Sequence, residues 1–195
     1  MCVRAARLPD VFVMKRYLII LGMPGAGKDT QAANIAASFS AHIIKTGDIA
    51  RSLANNDPRI AQVLAQGGLV DDELINTQVA KMVARIPDDA MVVFDGFPRR
   101  LEQAKWLDAL LADEAEQVMV LFLDITQQTA HQRLLARKRA DDSEEVIRHR
   151  LSVFEQTTVP VLDYYRSSNR LVEINGEPRP EVIAGDIHAK VRAWL

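Results

Sequence analysis

The nine residues Gly22-Met23-Pro24-Gly25-Ala26-Gly27-Lys28-Asp29-Thr30 restrict what this chain can fold into more than any other stretch. An apolar run, Tyr17-Leu18-Ile19-Ile20-Leu21, leads into them and is short enough for a buried strand; Gln31 to Phe39 then reads as a helix. Strand, glycine-rich turn and helix in that order are the setting in which G-x-x-x-x-G-K acts as a phosphate cradle. The glycines leave room for the backbone, so consecutive N–H groups can face phosphate oxygens. The helix N-terminus adds partial positive charge and Lys28 a full one. A glycine turn with an incidental lysine is the weaker reading, because it leaves the flanking strand and helix unexplained. Gly25, Ala26, Gly27, Lys28, Asp29 and Thr30 are therefore expected to hold the phosphates of a nucleoside triphosphate.

A length of 195 residues points to one domain with a large core. The net charge of −2 and the lack of a sustained basic run argue against a nucleic-acid surface. No apolar run approaches the roughly 18 residues that a membrane span needs. The single cysteine, Cys2, excludes an internal disulfide and a cysteine-based zinc cluster, which fits a reducing cytoplasm. Residues 1–13 lack a signal peptide's continuous apolar centre, being interrupted by Pro9 and Asp10, and are expected to form a mobile extension. The folded domain is expected to span 14–195.

Apolar runs alternate with helical segments along the rest of the chain, the pattern of a parallel sheet covered on both faces. Strands are expected at Tyr17–Leu21, His42–Ile44, Met91–Phe94, Val118–Leu123 and Leu171–Ile174. Helices are expected at 28–39, 47–54, 59–66, 71–85, 101–112, 126–138, 143–166 and 179–194. Ligands of such sheets bind at the carboxyl ends of the strands. Lys45-Thr46-Gly47-Asp48 follows the second strand, Asp95-Gly96-Phe97-Pro98-Arg99 the third and Asn175-Gly176 the last.

Five segments occur in order: the loop Gly22 to Lys28; Thr46-Gly47-Asp48-Ile49-Ala50-Arg51; Gly68-Leu69-Val70-Asp71-Asp72-Glu73-Leu74; Asp95-Gly96-Phe97-Pro98-Arg99 with Gln103; and Arg139-Ala140-Asp141-Asp142 with Arg150. On these motifs the chain, from about Tyr17 to its C-terminus, resembles the adenylate kinase family of nucleoside monophosphate kinases in its short-lid form. The resemblance implies an α/β fold of the P-loop NTPase type with a parallel five-stranded sheet and helices on both faces. It also implies a small helical excursion for the monophosphate at about 46–75 and a short lid at about 133–150.

What the resemblance implies for individual residues agrees with their chemistry. Phosphoryl transfer between nucleotides calls for positioning, charge neutralisation and exclusion of water more than for covalent chemistry. Arginine suits this, donating bidentately while staying charged. Lys28, Arg99, Arg137, Arg139 and Arg150 are expected to surround the transferred phosphoryl, with Arg133 and Gly176 on the ATP side. Thr46, Arg51, Val70, Gly96, Arg99 and Gln103 are expected to hold the monophosphate, Val70 through its backbone and Gln103 through its amide. Asp48 is expected to cap the helix that carries Arg51, and Ser143 the helix after the lid. Asp95, at the end of a buried strand, is expected to meet Mg²⁺ through water, with a turn cap as the bland alternative. Arg100 reads as a surface residue, and Trp106, Tyr164 and Tyr165 as packing.

Two features depart from the family pattern. Asp29 stands where the family has glycine; it either makes binding depend more on Mg²⁺ or points away to cap the helix or pair with an arginine. The lid has one residue between Arg137 and Arg139 and no inserted cysteines, so no structural zinc is expected. The expected activity is Mg²⁺-dependent ATP + AMP ⇌ 2 ADP in a cytoplasmic monomer with ATP, ADP and AMP as its partners. Thr46 and Gln103 favour AMP over the alternative of a UMP/CMP or mixed acceptor. A non-catalytic nucleotide-sensing module is the alternative from another class.

Overall fold

The computed structural model describes residues 14–137 and 143–195, with the side chains of 113–115 left aside. The expected N-terminal extension, 1–13, and Arg139 lie outside the described residues. The chain forms a five-stranded parallel sheet of β1 (Arg16–Gly22), β2 (His42–Lys45), β3 (Met91–Asp95), β4 (Val118–Asp124) and β5 (Leu171–Asn175). In space the order is β2-β3-β1-β4-β5, which places β1 at the centre. The expected fold class and all five strands are present.

Alternation along the strands builds two cores, one on each face. Tyr17, Ile19 and Leu21 of β1 join Val92 and Phe94 on one side, beneath helices α4 (Asp72–Val83), α5 (Leu101–Leu110) and α8 (Val159–Ser167). Leu18 and Ile20 join Val93, Leu121 and Leu123 on the other, beneath α1 (Lys28–Phe39) and α9 (Pro180–Trp194). Because both faces are covered, the central strands carry apolar residues at every position rather than every second one. An aromatic row runs through the first core: Tyr17 stacks near Phe94, Phe94 meets Phe97, and Phe97 meets Trp106 edge-on, each pair with ring centroids 6.2 Å apart. Tyr165 packs beneath the Arg170 guanidinium, 4.9 Å from its ring centroid, and Asp108 binds the same guanidinium at 2.9 and 2.5 Å.

Register delivers the strand ends to one place. Ile20 of β1 and Lys45 of β2 both pair with Asp95 of β3, while Gly22 pairs with Leu123 of β4. Beyond these ends lie α2 (Thr46–Ala54) and α3 (Pro58–Ala65), and from the far side α6 (Gln127–Arg137) and α7 (Glu144–Val153). Asp57 and Asp71 cap α3 and α4 by accepting N–H groups from their first turns, and Ser143 accepts the Val146 N–H of α7 at 3.3 Å.

Three expectations need correction. The helix expected over 143–166 is interrupted: α7 passes into a π turn, Phe154–Thr158, before α8 begins. Pro160 has no N–H to donate to the preceding turn, and the widened turn lets Val159 N–H reach Phe154 O instead. A 3₁₀ segment, Ala112–Gln117, follows α5 where no element was expected. Asp48 does not occupy the cap of α2, which falls at Lys45; it lies in the first turn and binds Arg51 at 2.5 Å.

Phe94 is fully buried between Tyr17 and Phe97 directly below the strand ends. Phe94→Ala is expected to lower unfolding free energy by about 3–5 kcal/mol, because the row cannot close over the void. Urea unfolding followed by Trp106 fluorescence, with a reduced midpoint, checks it.

Candidate nucleotide site

The loop between β1 and α1 is shaped by its glycines. Gly25 sits at φ +88°, and a Cβ there would lie 2.8 Å from the Ala130 carbonyl oxygen, so no other residue fits without displacing α6. Gly27 caps α1 at φ +90° with no side-chain hydrogen bond, leaving the first turn of the helix open toward the strand ends. Lys28 folds back over the loop, its Nζ donating to the Gly22 and Met23 carbonyls at 2.7 and 3.0 Å. Burial is the main force on this ammonium and brings its pKa down to about 8, opposed by the negative charge of Asp95.

A cavity of about 540 Å³ opens over the strand ends. It is lined by the loop and α1 on one side, by α2 and the start of α4 on another, by the end of β3 below, and by α6 and α7 above. Gly25, Gly27, Lys28, Asp29, Thr30, Thr46, Arg51, Val70, Asp95, Gly96, Arg99, Gln103, Arg133, Arg137 and Arg150 all border it. Of the expected residues that are described, two do not. Ala26 turns its methyl group into the core and its N–H donates within the loop to Met23 O at 3.0 Å. Gly176 lies behind Arg133, whose guanidinium donates to the Gly176 and Glu177 carbonyls, both at 3.0 Å.

The cavity is strongly cationic. Lys28, Lys45, Arg51, Arg99, Arg133, Arg137 and Arg150 face two carboxylates, Asp29 and Asp95. Such an excess, partly out of water, suits a polyanion with several phosphates. Arg99 is held at the centre. Its Nε donates to Gly96 O at 2.8 Å, its backbone N–H donates to Gln103 Oε1 at 2.8 Å, and its carbonyl accepts the Thr158 hydroxyl at 3.0 Å. Thr46 is buried and donates to Gly96 O at 2.9 Å, tying α2 to the end of β3.

Asp95 is 5% exposed, and burial, followed by the neighbouring Asp29, raises its pKa to about 7. Asp29 does not point away from the site. It borders the cavity, close enough to Asp95 for its charge to push the Asp95 pKa up.

Three contributors escaped sequence reasoning. Arg100, read as a surface residue, is half-buried; it donates to Val70 O at 3.2 Å and to Asp72 Oδ1 at 2.5 Å. Asp72 also accepts from Gln103 Nε2 at 2.7 Å, so the Gln103 amide is oriented at both ends. Asp72 stands in a quoted motif, which was a signal; Thr158 had none, since only the π turn aims it at Arg99.

Comparison with known proteins points to one family. A family model described as adenylate kinase matches residues 20–170. An adenylate kinase from Prochlorococcus marinus (strain MIT 9211) is 40% identical over 171 residues, covering 84% of this chain and 90% of the relative. One from Synechococcus sp. (strain WH7803) is 34% identical over 183 residues, covering 91% of this chain and all of the relative. One from Thermus thermophilus is 35% identical over 187 residues, covering 91% of this chain and 96% of the relative. On these matches, over most of its length, the chain belongs to the adenylate kinase family.

Proposed function

We propose that the chain catalyses ATP + AMP ⇌ 2 ADP, with Mg²⁺ accompanying the triphosphate. The observation that carries this reading is a single cationic cavity with two different walls, bridged by Arg99. The loop wall, Gly25 to Thr30 with Arg133, takes ATP. The opposite wall, Thr46, Arg51, Val70, Gly96 and Gln103, takes AMP. Both walls come from one chain, which supports a monomer. No described helix is long and apolar enough to cross a membrane, and we assign the enzyme to the cytoplasm.

Lys28 draws on the β/γ region of the donor as a point charge. Arg99 spans the gap between donor and acceptor, and Arg137, Arg139 and Arg150, of the segment at about 133–150, offset charge on the transferred group. Arg51 orients the acceptor phosphate, exchanging its exposed contact with Asp48 for it. The attacking atom is a phosphate oxygen already ionised at neutral pH, so no side chain needs to serve as general base. Closure of the excursion at about 46–75 and of the lid excludes water from the transfer.

The residues present fit Mg²⁺: Asp95 offers a hard carboxylate at the end of β3, and its Oδ2 is buried without a hydrogen-bond partner among the described residues. A magnesium ion held there would supply positive charge to offset that of the donor's phosphates.

NDP formation from Mg·ATP with AMP, UMP, CMP and GMP offered separately tests the assignment. ADP formation with AMP far above the others is the expected result, and preference for a pyrimidine would overturn the acceptor assignment. Lys28→Ala should lower kcat by about 10²–10³-fold while the chain stays folded. Arg100→Ala should free Asp72 and the Val70 carbonyl, loosening the acceptor wall. KM for AMP should rise about fivefold, equivalent to about 1 kcal/mol, with KM for ATP and kcat little changed.

A further inference from the structure

Asp29 and Asp95 come from distant parts of the chain, one in the first turn of α1 and the other at the end of β3, yet both border the cavity, near enough for the charge of Asp29 to raise the pKa of Asp95. In a cavity with so many cations, the two carboxylates have been brought together where they repel. A cation between them would offset that repulsion. The Lys28 ammonium donates to the Gly22 and Met23 carbonyls, which turns two of its three N–H groups toward the loop.

An independent observation points to a ligand. Asp95 is 5% exposed and borders the cavity, and its Oδ2 has no hydrogen-bond partner among the described residues. A buried carboxylate oxygen left without a donor is expensive unless something else occupies its lone pairs. Two carboxylate groups meeting at one point offer hard oxygen donors to a divalent cation. No described group of three or more His, Cys, Asp or Glu surrounds them, so most of an octahedral shell is left to water. That composition suits Mg²⁺ or Mn²⁺, which keep several waters and readily exchange them for phosphate oxygens. It suits zinc poorly, since zinc prefers nitrogen and sulfur.

We propose that Asp29 and Asp95 together form a divalent-cation site that takes up Mg²⁺ or Mn²⁺ before any nucleotide arrives. Asp95 alone would touch the ion only when phosphates bring it in; Asp29 supplies the second carboxylate that holds it in the free enzyme. The cation sits between the two carboxylates, and its water ligands later give way to phosphate oxygens. This last clause rests on the kinase reading given above; the ion site itself does not.

The test is direct. The nucleotide-free full chain is titrated with Mn²⁺, reading the free-ion signal by electron paramagnetic resonance, and with Mg²⁺ by calorimetry. The wild-type chain should take one ion, with a dissociation constant of about 10⁻⁴–10⁻³ M as befits a site of two carboxylates and water. Asp29→Gly and Asp29→Asn should each weaken binding by about tenfold or more, a loss of about 1.4 kcal/mol. Asparagine keeps the shape of the side chain, so a folded Asp29→Asn decides the matter even where glycine disturbs α1. No uptake by the wild-type chain up to about 10 mM, or equal uptake by the Asp29 variants, would overturn the proposal. The AMP transfer assay on the same wild-type preparation separates the two readings. Transfer without ion uptake by the free chain would sink the ion site alone, and ion uptake without transfer would sink the kinase reading alone.

Discussion

Parallel pairing of β1 with β3 on one side and β4 on the other is the constraint on which the rest of this structure depends. It places the glycine loop at the middle of the sheet, where the connections diverge to opposite sides and leave a crevice at the strand ends. The same register sets Lys45 and Ile20 beside Asp95, so that a carboxylate, a lysine and the loop share one level. Tyr17, Ile19 and Leu21 on one face and Leu18 and Ile20 on the other add burial to that pairing and hold β1 in place. A slip of one residue would exchange these two faces and carry the loop out of the crevice.

Upon that frame the site is made from charge that the fold leaves unbalanced. Seven cationic side chains border the cavity with two carboxylates, and several of the cations are tied to backbone carbonyls rather than to acids. Carbonyl oxygens orient a guanidinium or an ammonium without neutralising it, so the field in the cavity survives. Lys28 shows the cost, with burial working against its charge. Arg99 is the most constrained of the group, held by Gly96 through its side chain and by Gln103 and Thr158 through its backbone. Such bracing keeps a bridging cation in place between two walls that come from different segments.

The fold and much of the site were legible in the residues, and the parts that were not share a cause. All five strands and the glycine loop follow from local pattern, and so does the cap at Ser143. Arg100 looked like a solvated surface residue because its partners, Asp72 and Val70, lie 28 and 30 residues earlier. Thr158 was invisible because its role needs the π turn, which Pro160 favours but does not spell out. The break in the helix expected over 143–166 has the same origin.

The sequence by itself determined the strand–loop–helix unit, the parallel sheet and the positions of most cationic residues. Each of these depends on periodicity, glycine chemistry or apolar runs that a short window contains. Only the tertiary structure decided that Asp29 turns inward to meet Asp95, that Arg100 and Asp72 orient Gln103, and that Thr158 secures Arg99 from a position 59 residues away. Those contacts join segments that meet only after the sheet has set its register and the helices have packed upon it. No local pattern records them, because the hydrogen bonds they make are chosen by which groups burial leaves facing one another.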